Sequence, residues 1–312
     1  MIRAPDTQRG IALIAVLWLL VLLAGLALAI ASRTRSETQL VAALSGEAEA
    51  RALAEGAVFR AIERLLEPST TSGAAVTGYE RRVEDKDGVR IDVEIRDECG
   101  KVDLNTGRAR LIEGLLGQHA PTEDAFAITQ AILDWRDPDS QRRPQGAEDN
   151  DYRALGRRSG ARDGPFETVA ELVQVKGMTP ALLDRVAPDL TVDCLKAGVE
   201  PLAASPAVLA AVPGLAPPGI AAFLDRRAAW QANPQAGQPP VLAGAGDYAE
   251  DSEADAFGLR ATVTLPGGRS LVWEAVAWIT PTGEKPYVLR RWARGWAAIP
   301  APARADETRL QK

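Results

Sequence analysis

Six carboxylates crowd one short stretch of the chain. Asp134, Asp137, Asp139, Glu148, Asp149 and Asp151 lie between Asp134-Trp-Arg-Asp-Pro-Asp139 and Gly146-Ala-Glu-Asp-Asn-Asp-Tyr152. Like charges at that density repel one another unless something offsets them. A hard cation such as calcium would do so, because it takes several carboxylate and carbonyl oxygens at once. With Asp137 as position one, Asp139 falls at three, Gln141 at five and Glu148 at twelve, the offsets of an EF-hand loop. Position six is Arg142 where that loop needs Gly, and Pro138 and Pro144 occupy positions two and eight. The stretch is therefore no ordinary EF-hand, yet it can still wrap calcium. The expected ligands are Asp137, Asp139, Gln141, Glu148, Asp149 and Asp151. The competing reading is an exposed acidic loop, partly neutralised by Arg136, Arg142 and Arg143.

Other chemistry is sparse. His119 is the single histidine, and no acid or nucleophile is arranged beside it in sequence. No Gly-rich phosphate loop follows a strand, and two cysteines do not make a zinc site. These residues argue against an enzyme. A net charge of -6 also argues against a nucleic-acid surface. Cys99 and Cys194 are expected to pair if the chain body meets an oxidising compartment. Closing so long a loop contributes ~4–5 kcal/mol on the chain-entropy model. Two buried free thiols are the alternative.

The compartment is read from the N-terminus. Arg3 and Arg9 precede Gly10, and Ile11 to Ala31 is an uncharged apolar run without proline. About 20 apolar residues cross a bilayer as a helix. The run is too long for the ~7–15-residue core of a secretory signal, although Ala29-Ile30-Ala31 would serve as its cleavage site. A plain anchor explains the span but gives Gly10 no role. A short basic leader (1–10), a membrane-length segment (11–31) and a helix continuing through 32–67 describe a prepilin-type start. Processing is expected between Gly10 and Ile11. The arginines hold the short end in the cytoplasm, which places the body on the other side of the membrane.

Within that helix, Val58, Ile62, Leu65 and Leu66 form an apolar stripe at helical spacing. Ser69 to Gly78 reads as a loop. Residues 68–101 hold the first part of a sheet, with a hairpin signal at Asp85-Lys86-Asp87-Gly88 and alternation through Val89, Ile91, Val93 and Ile95. The alternation returns only at 256–299, as a three-stranded meander. Between them, 102–255 reads as an almost wholly helical insertion. Asn105-Thr106 is expected to cap a helix through Leu115, and Ala125 to Arg136 is a second helix. Leu172, Val175, Gly177, Met178, Pro180 and Leu183 recur 37 residues later as Leu209, Val212, Gly214, Leu215, Pro217 and Ile220. The shared form is a helix-hairpin-helix-like unit. Its turns carry only Lys176, too little charge for phosphate binding. A polar tail, 300–312, is expected to fray. The fold class is α+β, a pilin-like long N-terminal helix packed on an antiparallel sheet, with a large all-α insertion.

In their order and spacing these pieces resemble a known family. Arg9-Gly10-Ile11-Ala12-Leu13, Gly100-Lys-Val-Asp-Leu-Asn-Thr106, Asp134-Trp-Arg-Asp137, Gly146-Ala-Glu-Asp149 with Tyr152, and Gly164-Pro-Phe-Glu167 are similar to the K-type minor pseudopilins of type II secretion systems. The resemblance covers nearly the full length. It implies cleavage after Gly10 by prepilin peptidase, with Ile11 then N-methylated. It implies a non-enzymatic subunit in the inner membrane, single-pass, with a periplasmic body. It implies calcium in the acidic loop, and a tip complex with I-type and J-type minor pseudopilins on the inner-membrane assembly platform. Such a subunit helps initiate and cap the pseudopilus for protein export. Ala15 stands where most pilin-like subunits carry Glu, as in K-type subunits. A buried carboxylate in a bilayer needs a partner, and a subunit with no neighbour ahead of it has none to offer. The chain departs from the family at Glu200-Pro-Leu-Ala-Ala204, and in having Ile11 where pilins commonly have Phe. The alternative class is a membrane-anchored helix-hairpin-helix DNA receptor of competence type, which the acidic balance disfavours.

Overall fold

The alternating strand sequence does what its period requires. In the computed structural model, Val89, Ile91 and Ile95 are buried while Arg90 is exposed. The structure describes residues 8–66, 79–233, 235, 237–250, 256–266, 268–280 and 284–294. Most of the leader, the 69–78 loop and the 300–312 tail lie outside them. The chain divides into two units, Met1–Leu53 and Ala54–Lys312.

In the first unit, helix α1 (Gln8–Leu66) begins. From Val16 to Leu23 every side chain is exposed, the large ones between 51% and 68%, so the apolar surface runs round the whole helix. A helix apolar on all sides buries itself in lipid or among other helices. Only residues 15–28 of the apolar run have described side chains. Among the described residues no helix is long and apolar enough to cross a membrane.

In the second unit, the last turns of α1 meet the sheet. The buried stripe is Ala54, Ala57, Val58, Ala61 and Ile62, whereas Leu65 and Leu66 are only half-buried. Of the expected stripe, Val58 and Ile62 are thus buried and Leu65 and Leu66 are not, and alanines complete the buried face. Ala57 and Ala61 line a cavity of about 80 Å³ with Ile91, Val93 and Ile95. Arg64 pairs with Glu80 at 3.0 Å and Arg60 with Glu84 at 3.4 Å, which ties the helix to strand β1 (Tyr79–Lys86). Asp87 and Gly88 have φ of 53° and 77°, the positive pair that a two-residue hairpin turn demands, and β2 (Val89–Asp97) runs back antiparallel.

The insertion follows. A 3-10 turn (Glu98–Gly100) leads to β3 (Val102–Asp103), α2 (Ala109–Gly117), α3 (Thr122–Arg136) and α4 (Asp149–Ala154). A second 3-10 turn (Val169–Gln174) and α5 (Pro180–Val186) come next, then β4 (Leu190–Thr191), α6 (Pro206–Ala211) and α7 (Pro217–Ala232). Two expectations need correction. The region is not wholly helical, since β3 and β4 pair in parallel. Asn105 and Thr106 do not cap α2, whose N-cap is Arg108 without a side-chain bond. Their N–H groups donate instead to the buried Asp103 Oδ1, at 2.7 and 3.0 Å, and the helix starts only at Ala109. Both repeat glycines, Gly177 and Gly214, have positive φ (86° and 82°), and each precedes a proline-opened helix. The first repeat enters through the 3-10 turn rather than an α-helix.

The chain returns as β5 (Ala256–Thr264), β6 (Ser270–Ile279) and β7 (Tyr287–Arg294). The sheet order is β1-β2-β5-β6-β7, antiparallel throughout, so the insertion leaves and re-enters at one end of two neighbouring strands.

Helix α2 packs on α6 through Gly114, where a Cβ would lie 2.4 Å from the Ala211 carbonyl oxygen. Gly117, three residues on, has open space. Gly114→Ala is expected to destabilise by ~1–3 kcal/mol, and Gly117→Ala to be neutral or stabilising by ~0.4–1 kcal/mol. Melting temperatures check this. Equal effects at the two positions would contradict the packing.

Candidate metal centre

Helix α3 delivers the acidic loop and a buried carboxylate holds it in place. Asp134 is fully buried and accepts from Ala147 N at 2.8 Å, from Arg143 N at 3.2 Å and from Arg143 Nη1 at 2.8 Å. The stretch between Asp137 and Glu148 is thereby folded back onto the helix that precedes it. Gly146 is required there, since a Cβ would lie 2.0 Å from Asp134 Oδ2. Aromatic contacts fix the surrounding elements. The Trp135 ring meets Tyr152 edge-on at 5.5 Å and stacks on Phe166 at 6.2 Å.

Within this frame three acids converge. One oxygen from each of Asp137, Asp139 and Glu148 lies within 4.8 Å of the others. Glu148 is 6% exposed, and neither of its carboxylate oxygens has a hydrogen-bond partner. Asp137 Oδ1 is likewise buried and unpartnered, while Oδ2 takes Arg143. Burial pushes the Glu148 carboxyl up to about 7, aided by the charges of Asp134, Asp163, Asp137 and Asp139. Asp139 is exposed and accepts the Gln141 N–H at 2.8 Å.

The other expected ligands are placed differently. Gln141 is exposed and engages Asp139 only through its backbone N–H. Asp149 pairs with Arg153 at 2.5 Å along α4. Asp151 meets Arg142 at 3.2 Å, Lys176 at 3.3 Å and the Glu148 N–H at 3.1 Å. Burial works to raise the Asp151 carboxyl, but these donors outweigh it and hold it below the usual range. Arg136, counted in the sequence as a neutraliser of the loop, donates instead to the carbonyls of Leu104 (2.5 Å) and Gly107 (3.2 Å). Asp163 is an acid that sequence density did not reach. Burial and the charges of Asp149, Asp137 and Asp139 raise its carboxyl, which places it in the field of the cluster. Its only signal in sequence was an Asp-Gly turn ahead of Pro165-Phe166.

Elsewhere, Cys99 and Cys194 are joined by a disulfide, with their Cα atoms 4.9 Å apart. His119 is exposed. Gly10 and Ile11 lie within α1, and their side chains are outside the described ones.

Glu148 sets a pH dependence for the metal-free chain. Its folded value, about 7, exceeds the ordinary 4.5, so the folded state keeps a proton that the unfolded state has lost. That contribution is present below about 4.5 and is lost as pH rises through about 7. Glu148→Gln is expected to raise the melting temperature of the metal-free protein at pH 8, and to change it little at pH 4.5. An unchanged or lower melting temperature at pH 8 would count against the buried, unpaired carboxylate.

Comparison with known proteins places this geometry. Residues 100–193, most of the first part of the insertion, match the family described as type II secretion system (T2SS), protein K. No curated protein matches the chain in sequence. Among solved structures, a chain of the GspK-GspI-GspJ complex from the enterotoxigenic Escherichia coli type 2 secretion system is similar, with a TM-score of 0.56 at 18% identity. The match covers 85% of this chain and 100% of that one, and it shows a shared fold. Residues 100–193 thus carry the likeness to the type II secretion system protein K family, within a fold that the chain shares with a chain of that complex.

Proposed function

We propose that this chain is a minor pseudopilin acting at the tip of the type II secretion pseudopilus, where it helps to initiate and cap assembly. The observation that carries the reading is the protein K insertion, set between β2 and β5 of an antiparallel sheet. A body of that size, leaving one end of the sheet, hinders packing inside a helical shaft but not at its end. The exposed apolar surface of α1 between Val16 and Leu28 supports an inner-membrane anchor before assembly and packing against sister helices afterwards. Prepilin peptidase would cut between Gly10 and Ile11, and the body would lie in the periplasm. The family is a structural secretion component, and the chain acts by assembling rather than by catalysis. The similar structure is a complex of K with I and J, which supports I-type and J-type minor pseudopilins as partners here.

Calcium fits the acidic loop. Asp137, Asp139 and Glu148 offer hard oxygen donors, and the buried oxygens of Glu148 and Asp137 have nothing else to meet. The ion would supply the positive charge that the loop lacks. The chain's part is to hold these carboxylates converged, through Asp134, and to keep Asp151 occupied with Arg142 and Lys176.

Two measurements test the reading. Full-length chain should co-purify with I-type and J-type minor pseudopilins in detergent, and its mature N-terminus should begin at Ile11 only when prepilin peptidase is present. Failure to associate, or an intact Met1 beside active peptidase, would contradict it.

A further inference from the structure

The insertion and the sheet have separate cores. The buried apolar cluster of the insertion runs from Val102 to Ala245 and, among the described residues, includes none from the five-stranded sheet. Among the described helices and strands, the insertion meets the sheet chiefly through the 3-10 turn Glu98–Gly100 against β5. The two covalent crossings are side by side, since Asp97 at the exit pairs with Phe257 at the return. Two adjacent crossings without a shared core fix where a body is attached. They leave its swing to whatever spans the seam.

What spans the seam is polar and covalent. The Glu98 side chain lies along β5, where a Cβ on Gly258 would sit 2.3 Å from its Oε1, and its Oε2 accepts from Thr191 Oγ1 at 2.6 Å. The disulfide brings the loop after β4 to the root of the insertion. Asp193, next to Cys194 and only 5% exposed, then reaches across to β7, with Arg291 Nη2 at 3.1 Å and Arg290 Nε at 4.0 Å. From the insertion side, Asp103 Oδ2 accepts the N–H groups of Cys194 (3.1 Å) and Leu195 (2.9 Å). It holds Leu195 at a φ of 60°, a conformation in which leucine is rarely found. The loop is thus gripped by the insertion at Asp103, by the root at Cys99 and by the sheet at Arg291.

We propose that the insertion is a hinged body, and that the Cys99–Cys194 disulfide with the Asp193–Arg291 ion pair is the latch that fixes its orientation on the sheet. The disulfide delivers Asp193 to β7, and the ion pair closes the seam. This inference stands whether or not the pseudopilin reading holds, because it rests on the junction alone.

Hydrogen–deuterium exchange on the full chain in detergent tests it. In Asp193→Asn, amides of residues 190–195 and of β7 should exchange about tenfold faster, while those of α2 and α3 stay protected. Asp193→Arg should do the same, and Asp193→Arg combined with Arg291→Asp should restore protection. Complete reduction by dithiothreitol, checked by thiol count, should loosen the same two segments in the wild type. Unchanged exchange at the seam in Asp193→Asn would overturn the latch. Equal loosening of α2 and α3 in that variant would overturn the hinge, because the pair would then serve the insertion's own stability. A seam that stays closed after reduction, or an insertion that loosens throughout, would remove the disulfide from the latch.

Discussion

The insertion is organised around carboxylate oxygens that the fold buries without giving them a partner. Glu148 keeps both oxygens away from water and from any donor, and Asp137 keeps one. A loop free to move would turn these groups outward. This one is not free, because Asp134 holds the backbone at Arg143 and Ala147, and Gly146 leaves no room between them. The cost of the unpaired charge is visible in the Glu148 carboxyl, held up to about 7 by burial and by its acidic neighbours. Burial of this unpaired charge is the ground on which a cation is proposed there.

Asp134 has a counterpart in Asp103, and together they explain why the insertion is so irregular. Asp103 accepts four backbone N–H groups, from Asn105 and Thr106 on one side and from Cys194 and Leu195 on the other. Buried acids of this kind satisfy loop backbone that would otherwise need helix or sheet. They let short elements, several of them 3-10 turns, surround one apolar core. The same economy leaves the insertion attached to the sheet through few groups, so its orientation depends on the seam at Asp193.

Local pattern made parts of this legible in the sequence. Alternation predicted β2 and the strands after the insertion, and Asp87-Gly88 predicted the hairpin. The 37-residue repeat located Gly177 and Gly214, both at positive φ. Apart from the pairing of Cys99 with Cys194, contacts between distant residues were not legible. The pairing of Val102 with Leu190 is two residues long and has no local signature. Asn105 and Thr106 read as caps because the competing acceptor, Asp103, acts only once the chain is folded. In the acidic stretch, spacing picked out Asp137, Asp139, Gln141 and Glu148, of which the three acids converge and Gln141 does not. It could not show that Lys176, twenty-five residues away, occupies Asp151, or that Asp163 folds into the same field. The alanines of the buried face of α1 were underrated, because alanine's small side chain gives a weak apolar signal.

The central proposal is that the acidic loop of the insertion is built around a calcium ion. Native mass spectrometry of the folded chain, exchanged out of millimolar calcium, tests it most directly. The account predicts calcium retained by the wild type, and lost on chelation and in Asp137→Asn/Glu148→Gln. A wild-type chain that is folded and metal-free after the same exchange would contradict it.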